Sequence, residues 1–326
     1  MGYPIQFQEH DDEVVEITFR CQQARLLMRP GTEFSLRGFA FGDPALRGRV
    51  LRTVGCIGQA IKVSKAPVRV HFGGSESNHA HLIVSASTAE VRSAFKCHLR
   101  TNLSKEIGEL HDWKEGIFGR RCRDIGVRGD SLEERLIYCA AHGVKSGLIA
   151  RPTDWPGVQF VRAVTEGVPL KGIWYDRTKL YRALQNWKRR KNPGRRPTLM
   201  DFAEERIVEL APLPGFDEGL PPEERQAKWR ALLDNTMKAF PPKKEVMGPE
   251  KLKGANPHTK PARAKRTPAP KLHTKAPAVR QAWLEKYRAA QEGYGGYVRA
   301  VIDGRMKPED FPRELVPPPW LRKRLE

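Results

Sequence analysis

Residues 78–84, Asn-His-Ala-His-Leu-Ile-Val, constrain this chain more than any other stretch. The apolar run that follows the histidines reads as a central strand whose face is shared with helices. A strand repeats every two residues, so His79 and His81 leave one face, about 6.6 Å apart along the backbone. Two buried imidazoles side by side are costly unless something satisfies both, and a divalent cation does so.

The 326 residues suffice for one sizeable core or two modest ones. A hydrophobic fraction of 39% supports a packed domain, though not over the whole length. The formal net charge of +20 speaks to partners, and polyphosphate backbones come first because each neutralised phosphate releases a counterion. No amphipathic basic helix of the kind that lies on membranes is evident. Cys21, Cys56, Cys97, Cys122 and Cys139 are odd in number and form no CxxC pair, which suggests neither a zinc cassette nor a disulfide framework but reduced thiols. No apolar run approaches the roughly 18 residues of a membrane helix, and the start of the chain is acidic, so a cytoplasmic protein with no membrane partner is expected.

Residues 14–19 are rich in β-branched side chains and read as a first strand. Leu46, Val50, Leu51, Val54, Ile57 and Ile61 recur at helical steps and predict a helix over 43–61. Alternation in Val68-Arg69-Val70-His71-Phe72 predicts a second strand, and Gly73-Gly74-Ser75 a turn into a third over 79–85. Thr88 is placed to cap a helix over about 89–108. Residues 123–127 suit a short fourth strand. Asp130 or Ser131, each three residues before a glutamate, suits a capping box on a helix running to His142 or Lys145. Strand, helix, strand, strand, helix, strand, helix predicts an α+β fold: a ferredoxin-like antiparallel sheet with helices on one face and one extra helix.

Beyond residue 150 the composition shifts. Residues 182–196 hold seven basic side chains and no acidic one. Residues 222–240 look helical, with Trp229, Leu232, Leu233 and Met237 as the stripe. Residues 241–276 hold seven prolines, ten Lys or Arg and two acids, which reads as a disordered linker. A last helix over about 278–292 carries Trp283, Tyr287 and Ala290. The expected division is a catalytic domain over 1–160, a basic and partly helical extension over 161–240, a linker over 241–277, and a helix and tail over 278–326.

Tyr138 and His142 stand four apart in the predicted helix and share a face. A phenol near its ordinary pKa of about 10 is a poor nucleophile at neutral pH, and a nearby cation helps by polarising a phosphate it attacks. From periodicity alone, Tyr138 suits equally a packed ring with its hydroxyl at the rim, and His142 a helix-end histidine facing the dipole.

Four blocks in order resemble the single-tyrosine transposases of the HUH (His-hydrophobe-His) class, and are most similar to the bacterial REP-associated tyrosine transposases and their insertion-sequence relatives. They are Asn78–Val84, Gly116–Arg121, Leu136-Ile137-Tyr138 through Gly143–Leu148, and Asp154-Trp155-Pro156. The resemblance covers somewhat under half of the chain. It implies that His79 and His81 bind a metal, Mg²⁺ or Mn²⁺, and that Tyr138 is the nucleophile. The third metal position, an amide in the relatives compared, falls on His142 here, and imidazole is the better ligand for most transition metals. The implied reaction is transesterification on single-stranded DNA through a 5′-phosphotyrosine, with hairpin ends of a mobile element or repeat as substrate. A homodimer is compatible.

Arg120, Arg121 and Arg123 precede the predicted catalytic helix, and Lys145 and Arg151 follow it. All five suit phosphate contacts near the site. Lys188, Arg189, Arg190 and Lys191, with Trp187 among them, suit a duplex stem, and Trp113, Phe118 and Trp155 could stack on bases. The competing readings are a non-catalytic nucleic-acid binder on the same fold and a metal-dependent nuclease that uses water.

Overall fold

Alternation in Val15–Arg20 (β1) sorts its side chains cleanly: Val15, Ile17 and Phe19 to one face, Glu16, Thr18 and Arg20 to the other. This strand sits inside the sheet, antiparallel to both His79–Ala86 (β3) and Arg123–Val127 (β4). Val68–Ser75 (β2) pairs antiparallel with β3, and Leu272–His273 (β7) adds parallel to β4, giving the order β2-β3-β1-β4-β7. Its first four strands have the predicted ferredoxin-like arrangement. The computed structural model describes residues 5–29, 44–119, 122–191, 194–261 and 270–321.

Helices Pro44–Lys62 (α1) and Ala89–Leu110 (α2) lie on the Ile17 face. Asp124, in register with Ile17, is bonded there by Lys96 and paired with Arg92, both of α2. Thr88 caps α2 as expected, its hydroxyl accepting from Val91 N at 3.2 Å. Arg52 of α1 and Glu106 of α2 form a buried pair at 2.9 Å. Of the predicted α1 stripe, Val54 and Ile57 are buried and Ile61 packs against the core, while Leu46, Val50 and Leu51 lie outside the described side chains.

The other face carries Gly129–Ala140 (α3), continued after Ala141 by the single turn His142–Lys145 (α4). The expected capping box on α3 does not form. Its N-cap is Arg128, without a side-chain bond, and the Asp130 carboxylate instead accepts from Thr274 Oγ1, Lys275 N and Ala276 N. Those amides open Pro277–Ile302 (α9), which runs about ten residues beyond the predicted end, so Asp130 serves a helix distant in sequence.

The alternation in 68–72 misleads at one point. A bulge between Val70 and Phe72 shifts the register, so Val70 pairs with Val84 but Phe72 with Ile83. Phe72 therefore faces the histidine side and stacks on Trp229, ring centroids 5.0 Å apart. Trp229 belongs to Pro222–Ala239 (α7).

The apolar core consequently does not stop at residue 160. It includes Val161 and Val164 of Val161–Glu166 (α5), Val208, Leu213, Trp229 and Leu232. Two strands unforeseen in the sequence, Leu170–Tyr175 (β5) and Ala203–Val208 (β6), pair antiparallel and cover α1, where a side chain on Gly55 would come within 2.0 Å of the Ile173 carbonyl oxygen. Arg177–Arg189 (α6) joins them, anchored to α2 through Arg177 and Glu106 at 2.8 Å.

The stretch read as a disordered linker is packed at two places. Leu252 of Pro249–Gly254 (α8) is 2% exposed beside Val144, Ile149 and Trp155, and Leu272 of β7 is 1% exposed beside Trp283 and Tyr287. Single leucines in a basic, proline-rich sequence find apolar ground already built by the rest of the fold; residues 262–269 lie outside the described part. Among the described residues no helix is long and apolar enough to cross a membrane. All five cysteines are free: Cys21, Cys56 and Cys139 are buried, Cys122 is half-buried and Cys97 exposed.

Replacing Trp229 tests whether 222–239 is part of this core. Trp229→Ala should cost about 3–5 kcal/mol in a urea or thermal melt of the whole chain. An unchanged melt of the sheet and its helices would restore a boundary at 160.

Candidate metal and tyrosine site

Register builds the site. His79 pairs with Arg20, His81 with Thr18, and Thr18 on its other side with Arg123, so all five project from the α3 face. Tyr138 is in the last turn of α3 and His142 opens α4, one turn on. The three histidine rings converge: centroids are 5.0 Å apart for His79–His81, 4.9 Å for His79–His142 and 4.3 Å for His81–His142. Nitrogens of all three lie within 4.8 Å of one another. The Tyr138 ring is 4.8 Å from that of His142 and 6.2 Å from that of His81.

Each imidazole has its Nδ1 facing an acceptor. His81 Nδ1–H donates to Glu16 Oε1 at 2.6 Å, His79 Nδ1–H to Asn78 Oδ1 at 2.6 Å, and His142 Nδ1–H to the Cys139 carbonyl at 3.4 Å. These bonds assign the proton to Nδ1 and leave the Nε2 lone pairs free. His81 Nε2 is buried with no hydrogen-bond partner. Burial, reinforced by His81, holds His142 down to about 3, and burial with the neighbouring rings holds His79 well below its ordinary value. Neutral imidazoles with unused lone pairs on one point fit a cation.

Sequence reasoning missed the groups that orient this cluster. Glu16 is 1% exposed. Burial alone would raise its pKa, but the bond to His81 and the Arg135 guanidinium outweigh that and hold it at about 2. Arg135 donates from Nε to Oε2 and from Nη2 to Oε1, both at 2.9 Å, and its guanidinium carbon sits 4.1 Å over the Tyr138 ring. Lys145 Nζ lies 4.5 Å over the same ring. Burial raises the Tyr138 phenol above its ordinary value, and Arg135 opposes the rise. Glu76, in the turn before β3, is a largely covered carboxyl, its side chain 11% exposed, 3.9 Å from His79 Nδ1. Burial raises it to about 7 against the Ser146 hydroxyl, Arg20 and Lys145. The one signal available beforehand was a glutamate among the β-branched residues of β1, a poor choice for a strand interior unless it is paired.

The predicted basic and aromatic residues divide. Arg123 and Lys145 are exposed beside the site, and Arg151 is exposed where its backbone N–H bonds Asp154. Arg120 and Arg121 lie outside the described residues. Lys188, Arg189, Arg190 and Lys191 are exposed at the end of α6, which is anchored on the α1–α2 side of the sheet. Phe118 and Trp155 are 4% and 7% exposed and belong to the core, and Trp113 is covered by Arg25 and His258, so stacking on bases is corrected for all three. Apolar neighbours bury Phe118 and Trp155, whereas Trp113 is half-buried with its ring face taken by Arg25 and His258.

No family model matches the chain, and no curated protein matches it. Among solved structures it is similar to one described as a REP-associated tyrosine transposase bound to a REP hairpin, with 15% identity, a TM-score of 0.35, and coverage of 51% of this chain and 87% of that one.

The metal-free protein should lose stability in acid. Unfolded, His142 titrates near its ordinary 6.5, and folded near 3, so between those values only the unfolded chain takes up the proton. Glu16 adds stability that is full above its ordinary 4.5 and is lost as pH falls through about 2, on the order of 3 kcal/mol. Urea titrations at pH 7 and pH 4.5 check the first effect. His142→Asn should shrink the difference between them, and an undiminished difference would contradict it.

Proposed function

We propose that the protein is a metal-dependent transesterase that cuts and rejoins single-stranded DNA through Tyr138, as a transposase does. The observation that carries this reading is the convergence of a half-buried phenol and three uncharged imidazoles beneath a basic rim. In the reaction the Tyr138 oxygen bonds to a backbone phosphorus and the bond to the 3′ oxygen breaks. The phenolic proton ends on that oxygen, leaving a 3′-hydroxyl and a 5′-phosphotyrosine. A second 3′-hydroxyl reverses the exchange and joins strands without ATP. A divalent ion held by His79, His81 and His142 would supply Lewis-acid polarisation of the phosphate, and three nitrogen donors suit Mn²⁺ better than Mg²⁺.

The chain's own groups do the rest. Arg135 and Lys145, both within 4.5 Å of the centre of the phenol ring, favour its phenolate. Arg20, Arg123 and Lys145 offer charge to phosphates flanking the cut, with Arg151 farther along; Arg120 and Arg121 are carried from the sequence. Lys188, Arg189, Arg190 and Lys191 would take a duplex stem on the far side of the sheet. Hairpin ends of a mobile element or repeat remain the proposed substrate, in the cytoplasm.

One observation favours a second reading, hydrolysis by water. Glu76, with its pKa near 7 beside His79, has the basicity of a general base at neutral pH. The two readings part on a denaturing gel. With Mn²⁺ and a 3′-labelled single-stranded hairpin, the wild type should nick and carry the labelled fragment covalently, and Tyr138→Phe should do neither. Nicking by Tyr138→Phe at the wild-type rate would remove tyrosine catalysis. His79→Ala should weaken Mn²⁺ binding by more than about 100-fold, and calorimetry checks it.

A further inference from the structure

Residues 270–276, Pro-Lys-Leu-His-Thr-Lys-Ala, sit in the most basic and proline-rich part of the chain, yet the fold uses them beside the site. Gly126 has no side chain where Leu272 lies; a Cβ there would stand 2.8 Å from Leu272 Cδ1. Leu272 is thereby seated on the α2 side of β4, in register with Gly126. Alternation then turns His273, in register with Val127, to the histidine face. The His273 carbonyl accepts from Arg128 N at 2.9 Å, and Asp130 holds the three residues that follow. Both contacts are made by the residues that begin α3.

His273 Nε2 faces Glu16 Oε2 at 3.6 Å, and it is buried with no hydrogen-bond partner. The Glu16 carboxylate is thus met from three elements: His81 on β3, Arg135 on α3 and His273 on β7. We propose that His273 is a positioning residue, and that β7 is a working part of the site, because it fixes the carboxylate that orients His81. The proposal rests on reading His79, His81 and His142 as a cation site. It makes the C-terminal region a component of the metal centre rather than an appended nucleic-acid tail. Partners behind a ligating histidine are commonly worth 10- to 100-fold in metal affinity.

The test is calorimetric titration of the full chain with Mn²⁺ alone. His273→Ala should weaken binding by about 10-fold or more. Leu272→Asp, which drives a charge into the apolar seat of β7, should do the same. His273→Gln, which keeps a polar side chain of similar reach beside Glu16, should recover most of the affinity, and the metal-free thermal melt of His273→Ala should stay close to that of the wild type. Unchanged Mn²⁺ affinity in His273→Ala overturns the proposal. So does a loss matched by collapse of the metal-free melt, or an equal loss in His273→Gln. If the wild type binds Mn²⁺ but never nicks DNA, the transesterase reading falls while the titrations still decide His273.

Discussion

Glu16 lies on an inner strand of a sheet covered on both faces, where an unpaired carboxylate would be expelled or protonated. It stays ionised because His81 donates to it at 2.6 Å and Arg135 grips both its oxygens. The same contacts settle the site. They fix the His81 tautomer, so the Nε2 lone pair points away from the carboxylate. They also tie α3 to the sheet through Arg135, three residues before Tyr138, and so set where the phenol stands relative to the imidazoles. Removing the carboxylate would free His81 to rotate and leave a guanidinium partly buried without its partner.

Much of the fold was legible because the informative segments are periodic and long. The alternation of β1, the apolar run of β3, the Thr88 cap and the helical stripes are local signals, and the elements appear where those signals lie. What could not be read is relational. The bulge that reverses Phe72 depends on pairing with β3, and nothing in Val68–Phe72 announces it. Strands β5 and β6 carry mixed polar and apolar residues because only one of their faces is covered, by α1. Asp130 matched a local capping rule, yet three donors from 274–276 win its oxygen.

The site divides in the same way. His79, His81, Tyr138 and His142 are two pairs, each at the spacing of its own secondary structure; spacing puts each pair on one face, and the resemblance singled them out. Glu16, Arg135, Glu76 and His273 have no such spacing to one another. They meet only when the sheet is assembled, and three of the four come from segments whose composition suggested nothing but scaffold or linker. Composition misjudged 241–276 for a related reason. Average polarity predicts disorder, but Leu252 and Leu272 each gain from a hydrophobic seat supplied elsewhere, and burying one leucine is worth roughly 2 kcal/mol.

The central claim is spatial: the phenol of Tyr138 and nitrogens of His79, His81 and His142 meet around one ion. The most direct measurement is a crystal soaked in MnCl₂, with anomalous differences recorded near the manganese edge. The account predicts one peak bounded by Nε2 of all three histidines, with the Tyr138 hydroxyl opening onto the same space. An absent peak, or one held elsewhere with Tyr138 turned from the histidines, would contradict it.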